Sequence, residues 1–160
     1  MTDPRSVLSR ARLTPKKSFG QNFLVDANVT RAIAEACIPD AERGRAEVVE
    51  LGAGTGALTR ALLERASRVV AVERDRDLLP VLAEELASEI ASGRLVLVEG
   101  DAKQVDVPAL FSGTDVPRVL AGNLPYQITG PLLEMSVSIA AHLTRAVFMI
   151  QAEVADRLAA

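Results

Sequence analysis

The sequence is poor in the residues that build disulfides and metal centres. It contains one cysteine, Cys37, and one histidine, His142, among 160 residues. A lone cysteine cannot form an internal disulfide, so a reducing, cytoplasmic compartment is expected. A single histidine leaves little from which to build a zinc cluster or a Ser-His-Asp triad, and we expect neither a metal site nor a hydrolase of that type.

Long apolar runs are also missing. No run approaches the roughly 20 residues that span a bilayer, and the N-terminus lacks the pattern of a signal peptide. We therefore expect no membrane association. Hydrophobic residues make up 49% and charged residues 24% of the chain, a balance typical of globular proteins. A chain of 160 residues can enclose one complete core but is too short for two comfortable domains.

The net charge of -3 is unevenly distributed. Residues 1–20 contain one acid and five basic side chains, whereas the remaining residues carry a net charge of -7. We therefore divide the chain into a basic arm, residues 1–20, and a domain, residues 21–160. The arm is either a solvated tail or a phosphate-binding segment. In the second case its RNA contacts would come from Arg10, Arg12, Lys16 and Lys17.

Short apolar segments alternate with amphipathic ones along the rest of the chain. The pattern predicts strands at residues 48–51, 68–73, 95–98, 118–121 and 146–150. It predicts helices at residues 27–37 (capped by Asp26), 55–66, 75–90 and 128–141, and from residue 151 onward. Continuously apolar strands interleaved with helices indicate a doubly wound α/β domain with a mostly parallel sheet. In such folds ligands bind at the carboxyl ends of the strands.

A glycine-rich loop follows the first predicted strand. Gly52, Gly54 and Gly56 allow a sharp turn and let a ligand approach the backbone closely. With Ala57 in third place the loop also fits a dinucleotide-binding fingerprint. The alternative is a tight strand–helix turn without a ligand.

Acidic residues follow the next two strands. Glu73 ends the second strand, where a carboxylate can accept both hydroxyls of a ribose. It could also cap the following helix, although Asp75 is the better candidate for that cap. Asp101 and Ala102 follow the third strand, where they can bind the adenine of a nucleoside cofactor, Asp101 by accepting from its amino group. Asp101 could equally be a turn former.

The fourth strand ends in Gly122-Asn123-Leu124-Pro125-Tyr126. The side-chain carbonyl of Asn123 and the backbone carbonyl of Leu124 can bind the two hydrogens of an adenine amino group, while Pro125 stiffens the turn. Tyr126 can stack on the extruded base. This loop favours an adenine methyltransferase that uses S-adenosylmethionine. An ordinary turn and a nicotinamide-dependent oxidoreductase are the alternatives, and the second of these leaves the loop unexplained.

With these motifs the sequence resembles the ribosomal RNA adenine dimethyltransferases, and specifically the small-subunit dimethyladenosine transferase family. The resemblance covers residues 13–158. It is carried by residues 17–26 (KSFGQNFLVD), 49–59 (VELGAGTGALT), 122–128 (GNLPYQI) and 148–158 (FMIQAEVADRL). The sibling family that methylates large-subunit RNA tends to have Asn-Ile-Pro-Tyr, so Leu124 and the Lys-Ser-Phe-Gly segment favour the small-subunit family.

The resemblance implies a Rossmann-like S-adenosylmethionine-dependent methyltransferase that dimethylates two adjacent adenines near the 3′ end of small-subunit ribosomal RNA. Asn123 would contact both cofactor and target base, and Leu124, Pro125 and Tyr126 would complete the catalytic loop. The cofactor site would consist of Gln21, Asn22, Leu24, Gly52, Gly54, Gly56, Glu73, Arg74, Asp101, Ala102 and Asn123.

Members of the family continue well beyond the position where this chain ends, Ala160. We therefore expect a truncated chain that lacks the final strands and the C-terminal helical domain and binds cofactor while being impaired in catalysis. We expect a monomer, and self-association through the exposed sheet edge is the alternative. The partner of the chain would be the small ribosomal subunit and its RNA. A noncatalytic RNA-binding or ribosome-assembly factor on the same fold is the main alternative.

Overall fold

The structure is a computed structural model that describes Ser9 and residues 26–160. Five strands form one sheet in the order β3-β2-β1-β4-β5, and every neighbouring pair is parallel. This confirms the predicted α/β architecture. The strands are β1 (Glu47–Leu51), β2 (Arg68–Glu73), β3 (Leu95–Glu99), β4 (Arg118–Asn123) and β5 (Arg145–Met149).

One helix precedes the first strand, one follows the last, and the others connect successive strands. Asp26 caps the first helix as predicted, because its carboxylate accepts from the backbone N–H of Asn28 at 2.8 Å. Within the described residues, no helix combines the length and apolar character needed to cross a membrane. The helices are α1 (Ala27–Cys37), α2 (Ala57–Leu63), α3 (Leu78–Glu85), α4 (Ala87–Ala91), α5 (Val107–Leu110), α6 (Tyr126–Ser138) and α7 (Ala152–Ala159), with 3₁₀ turns at Asp40–Glu42 and Ala140–His142.

The helical segment predicted between residues 75 and 90 differs from the observed structure. It consists of α3 and α4, separated at Leu86, whose backbone leaves the helical region at φ -119° and ψ 28°. The first of these helices begins at Leu78, after Asp77. Neither Glu73 nor Asp75 therefore stands at its N-cap. Asp75 instead accepts from the backbone N–H of Asp77 at 3.1 Å, in the turn that precedes the helix.

Apolar cores lie on both faces of the sheet. Helices α1 and α2 cover one face, where Ile38, Leu62 and Val69 are fully buried. Helices α5 and α6 cover the other, where Val49, Leu120 and Leu132 are fully buried. Because both faces are covered, a ligand can reach the central strands only at their ends.

Arginines close the amino-terminal edge of the sheet. Because the helices run opposite to the strands, their last carbonyl groups lie at this edge and need hydrogen-bond donors. Arg65 donates to the carbonyl oxygen of Ile38 at 2.8 Å, and Arg145 to that of Cys37 at 2.9 Å. Arg68 donates to the carbonyl of Leu110 at 3.0 Å. The chain itself therefore supplies donors for these helix ends.

Candidate active site

The glycine loop lies between β1 and α2 and is attached to the end of β2. The backbone N–H groups of Gly52 and Ala53 both donate to the carbonyl of Val72, at 2.9 and 3.1 Å. Gly52, Gly54 and Gly56 have φ values of 78°, 58° and 79°, which favour glycine. A β-carbon on Gly52 would meet no atom within 4 Å. The first glycine therefore borders open space that a ligand can enter.

Glu73, the last residue of β2, is only 7% exposed. One carboxylate oxygen accepts from the backbone N–H of Gly54 and the other from that of Asp75, each at 2.7 Å. Each oxygen can accept a second hydrogen bond. The carboxylate is thus fixed beside the glycine loop. Its contact with Gly54 is a role that the sequence did not indicate.

Asp101 lies beyond the end of β3. Its carboxylate accepts from the backbone N–H of Lys103 at 3.0 Å and lies 3.6 Å from a guanidinium nitrogen of Arg74. The Asp101 side chain is 20% and that of Arg74 60% exposed. The N–H of Gly100 donates to the carbonyl of Glu73 at 3.0 Å, which joins the ends of β2 and β3. Ala102, the next predicted site residue, is half-buried against the α5–α6 core.

Asn123 ends β4, the strand next to β1. The N–H of Leu124 donates to the carbonyl of Met149 at 3.0 Å, so the following loop is anchored to β5. Pro125 precedes α6 at φ -65°, and its carbonyl accepts from the hydroxyl of Thr129 at 3.0 Å. Tyr126 begins the helix with 60% of its surface exposed. Its ring is therefore available to a stacking partner.

Gly122 permits the close approach of β4 and β1. A β-carbon there would lie 2.8 Å from the carbonyl oxygen of Leu51, its partner in the sheet. That distance is shorter than a van der Waals contact. A residue with a side chain at this position would push apart the strands that carry the glycine loop and Asn123.

Glu50, the fourth residue of β1, has no role among those predicted from the sequence. Its side chain is 1% exposed and accepts from the hydroxyl of Thr59 at 2.6 Å. The pKa of Glu50 is raised to about 8, chiefly by burial and also by the negative charge of Glu73, while the Thr59 hydrogen bond and the charge of Arg60 oppose the shift. A protonated carboxyl group therefore lies beneath the glycine loop at neutral pH. A glutamate inside the apolar segment Glu47–Leu51 was the available signal.

The described site brings together the glycine loop, Glu73, Arg74, Asp101, Ala102 and the loop from Asn123 to Tyr126 at the carboxyl edge of the sheet. Among the described residues, no group of three or more His, Cys, Asp or Glu side chains could hold a metal ion. The remaining predicted site residues lie outside the described part of the chain: Gln21, Asn22 and Leu24 for the cofactor, and Arg10, Arg12, Lys16 and Lys17 for RNA.

The chain is similar in sequence and in fold to known proteins. Two curated relatives share the name ribosomal RNA small subunit methyltransferase A. The one from Anaeromyxobacter dehalogenans is 45% identical over 172 residues, covering 100% of this chain and 58% of the relative. The one from Myxococcus xanthus is 44% identical over 160 residues, covering 100% and 53%. The crystal structure of a dimethyladenosine transferase from Plasmodium falciparum matches with 29% identity and a TM-score of 0.71, covering 87% of this chain and 46% of that one.

The chain spans about half the length of the curated relatives it matches. The model of the family described as ribosomal RNA adenine dimethylase matches residues 12–160, which include the glycine loop, both acidic strand ends and the Asn-Leu-Pro-Tyr loop. This chain therefore belongs to the ribosomal RNA adenine dimethylase family.

Proposed function

We propose that the chain is the cofactor-binding catalytic part of an S-adenosylmethionine-dependent methyltransferase that dimethylates N6 of two adjacent adenines near the 3′ end of small-subunit ribosomal RNA. The observation that carries the proposal is the convergence of four strand ends, those of β1 to β4, on one edge of the sheet. Family membership and the name shared by the curated relatives support the same activity.

The residues at this edge fit S-adenosylmethionine, which supplies a methyl group activated on a sulfonium. The space at Gly52 admits a ligand against the backbone. The fixed carboxylate of Glu73 is suited to accept from ribose hydroxyls, and that of Asp101 to accept from the adenine amino group. Arg74 would lie over the same end of the nucleoside, because it is paired with Asp101.

Asn123 and Leu124 would hold the target base. An exocyclic adenine nitrogen is a weak nucleophile, because its lone pair is delocalised into the ring. The side-chain carbonyl of Asn123 and the backbone carbonyl of Leu124 would accept its two hydrogens and direct the lone pair toward the methyl group. Holding the reacting atoms in line provides much of the rate enhancement. The nitrogen becomes acidic once it is methylated, so a strong general base is not required.

Tyr126 and the N-terminal arm would contribute RNA binding. Stacking of a base on an exposed ring such as that of Tyr126 contributes about 1–3 kcal/mol. Arg10, Arg12, Lys16 and Lys17 of the arm, residues 1–20, would contact phosphates, while residues 21–160 form the methyltransferase domain. The partner would be the small ribosomal subunit. The protein would bind it as a monomer in the cytoplasm.

The first test is calorimetric titration of the 160-residue chain with S-adenosylmethionine, with NAD as the comparison ligand. We expect the chain to bind S-adenosylmethionine and not NAD. Binding of NAD alone would contradict the cofactor assignment and favour the oxidoreductase alternative. Methyl transfer to an RNA fragment containing the adjacent adenines then tests the reaction, and a large-subunit RNA fragment serves as the competing substrate.

Two substitutions separate catalysis from RNA binding. We expect Asn123→Ala to reduce methyl transfer by about 10²–10³-fold, because the target nitrogen loses an acceptor. We expect Tyr126→Ala to weaken RNA binding by about 10-fold or more without changing thermal stability, because the ring is exposed. Tyr126→Phe retains the ring and is the control. Unchanged methyl transfer in Asn123→Ala would contradict the assigned mechanism. RNA binding by the unchanged chain, with neither methyl transfer nor binding of S-adenosylmethionine, would favour the assembly-factor alternative.

A further inference from the structure

Arg60 links the end of the glycine loop to the following helices. It lies on α2, and one of its terminal nitrogens donates to the backbone carbonyl of Thr55 at 2.9 Å. The other donates to the carboxylate of Glu85 on α3 at 2.6 Å. Both side chains of this ion pair are 18% exposed. The guanidinium therefore bridges the loop and a helix that is distant from it in sequence.

The contact with Thr55 fixes one end of a peptide group whose other end is also held. The carbonyl of the Thr55–Gly56 peptide accepts from Arg60, and its N–H donates to the carbonyl of Ala53 at 2.9 Å. A peptide next to a glycine can rotate between turn conformations at little steric cost. Thr55 is 3% exposed, so its carbonyl is shielded from water and relies on Arg60 as a donor. The two hydrogen bonds together select one orientation.

The two halves of the loop are held by different elements. Strand β2 holds the first half, through the carbonyl of Val72 and the carboxylate of Glu73. The second half depends on Arg60 and on the packing of Leu82, which lies 2.7 Å from the position of a β-carbon on Gly56. Leu82 and Glu85 both belong to α3. Arg60 thus joins this half of the loop to α3 by hydrogen bonds.

We propose that Arg60 is a positioning residue for cofactor binding. It holds the Thr55–Gly56 peptide in the orientation that shapes the glycine loop for S-adenosylmethionine, and this inference rests on the proposed function. Arg60 would not need to touch the cofactor. Its removal would let the peptide rotate, and the loop would have to be reordered each time the cofactor bound, which weakens affinity.

The test compares Arg60→Met with Arg65→Met in the 160-residue chain. Arg65 is a matched control, because it lies five residues further along and also joins a backbone carbonyl, that of Ile38, to a carboxylate, that of Asp40. It does so at the amino-terminal edge, away from the loop. Calorimetry measures affinity for S-adenosylmethionine and S-adenosylhomocysteine, thermal unfolding measures stability, and hydrogen exchange measures protection of the Gly56 amide.

We expect both substitutions to lower the melting temperature, and only Arg60→Met to weaken affinity for both ligands, by about tenfold. The Gly56 amide should exchange faster in that variant alone. Arg60→Lys, which can reach one of the two partners, should restore part of the affinity. Glu85→Gln leaves the contact between Arg60 and Thr55 in place, so it should weaken affinity less than Arg60→Met. If Arg60→Met does not fold, Glu85→Gln and Arg60→Lys replace it in the test.

Three outcomes would overturn the inference. The first is unchanged affinity in Arg60→Met, and the second is an equal loss in Arg65→Met, which would reduce Arg60 to a structural ion pair. Either result leaves the proposed function standing, because the unchanged chain still binds. The third is failure of the unchanged, folded chain to bind either ligand, and this would overturn the proposed function as well.

Discussion

Glu47 and Glu73 are two glutamates with the same burial at opposite edges of the sheet. Each is 7% exposed and lies at the end of a strand, Glu47 at the start of β1 and Glu73 at the end of β2. Each accepts hydrogen bonds from two backbone N–H groups of nearby loops. For Glu47 these are Ser112 at 2.8 Å and Gly113 at 3.1 Å.

The surroundings of the two carboxylates differ. Glu47 also accepts from the hydroxyl of Ser112, and Arg68 lies 3.7 Å away. Its charge is therefore balanced within the fold, at the edge where arginines cap the helix ends. Glu73 accepts from Gly54 of the glycine loop, whose first residue, Gly52, borders open space. The same residue type thus closes the structure at one edge and, in the proposed function, offers an acceptor to a ligand at the other.

The largest effect we expect is on ligand affinity at the carboxyl edge. Glu73→Gln should weaken binding of S-adenosylmethionine by about 10–100-fold, because a charged acceptor for the ribose and for the Gly54 amide is lost. Glu47→Gln should lower the free energy of unfolding by about 1.5–3 kcal/mol and leave affinity unchanged. Calorimetry and urea unfolding of both variants make the comparison. Equal losses of affinity would show that the edges are not functionally distinct.

The next prediction concerns how folding stability depends on pH, because the buried carboxyl groups of Glu47 and Glu50 have opposite effects on it. Burial opposes ionisation of Glu47, but its hydrogen bonds outweigh burial and lower its pKa, so its contribution to stability is lost as pH falls below about 4.5. Burial raises the pKa of Glu50 from 4.5 to about 8. The contribution of the Glu50 carboxyl group to folding stability is complete below pH 4.5 and falls as the pH rises toward 8. It changes no further above pH 8.

Urea unfolding between pH 3 and pH 9 tests this assignment. Glu50→Gln should flatten the fall in stability between about pH 5 and 8, a slope of at most about 1.4 kcal/mol per pH unit for one proton, and should leave the acid limb intact. Glu47→Gln should reduce the acid limb alone. An unaltered slope above pH 5 in Glu50→Gln would show that the buried carboxyl ionises normally.

Much of the fold was predictable, because it depends on local patterns. β2 was predicted at its observed bounds, Arg68–Glu73, since a parallel strand covered on both faces is apolar throughout. The separation of α3 from α4 was not predictable, because buried Leu86 keeps the apolar spacing across it. Helix α5 (Val107–Leu110) was not predicted either, because its four residues are too few to show a helical period.

The location of the candidate site was predictable to the extent that its residues lie at or just after strand ends. Glu73 and Asn123 end strands, the glycine loop and Asp101 follow strands, and the parallel sheet brings these positions together. The connection through Arg60 was not predictable, because Glu85 lies 25 residues further along the chain and no local spacing relates the two. Such contacts depend on how helices pack, which periodicity does not specify.

The smallest effects we expect distinguish two glycines near the loop from Asn123 to Tyr126. Gly122→Ala places a β-carbon 2.8 Å from the carbonyl of Leu51, so the strands must separate, at a cost of about 1–3 kcal/mol in the free energy of unfolding. Gly130 lies inside α6, directly before Pro131. Gly130→Ala should change the free energy of unfolding by less than about 1 kcal/mol, because the lower backbone entropy loss of alanine is offset by the contact of its β-carbon with the proline ring.

The second substitution also tests how far the ligand-binding edge extends. Gly130 lies four residues after Tyr126 in α6, so both positions lie on the same side of the helix. If RNA uses only the ring of Tyr126, Gly130→Ala will leave RNA affinity unchanged. If RNA packs against the helix backbone at Gly130, the added methyl group will weaken RNA binding in a protein that is still folded. Loss of affinity with a melting temperature close to that of the unchanged protein would place this turn of α6 within the RNA-binding surface, because a folding defect would lower the melting temperature as well.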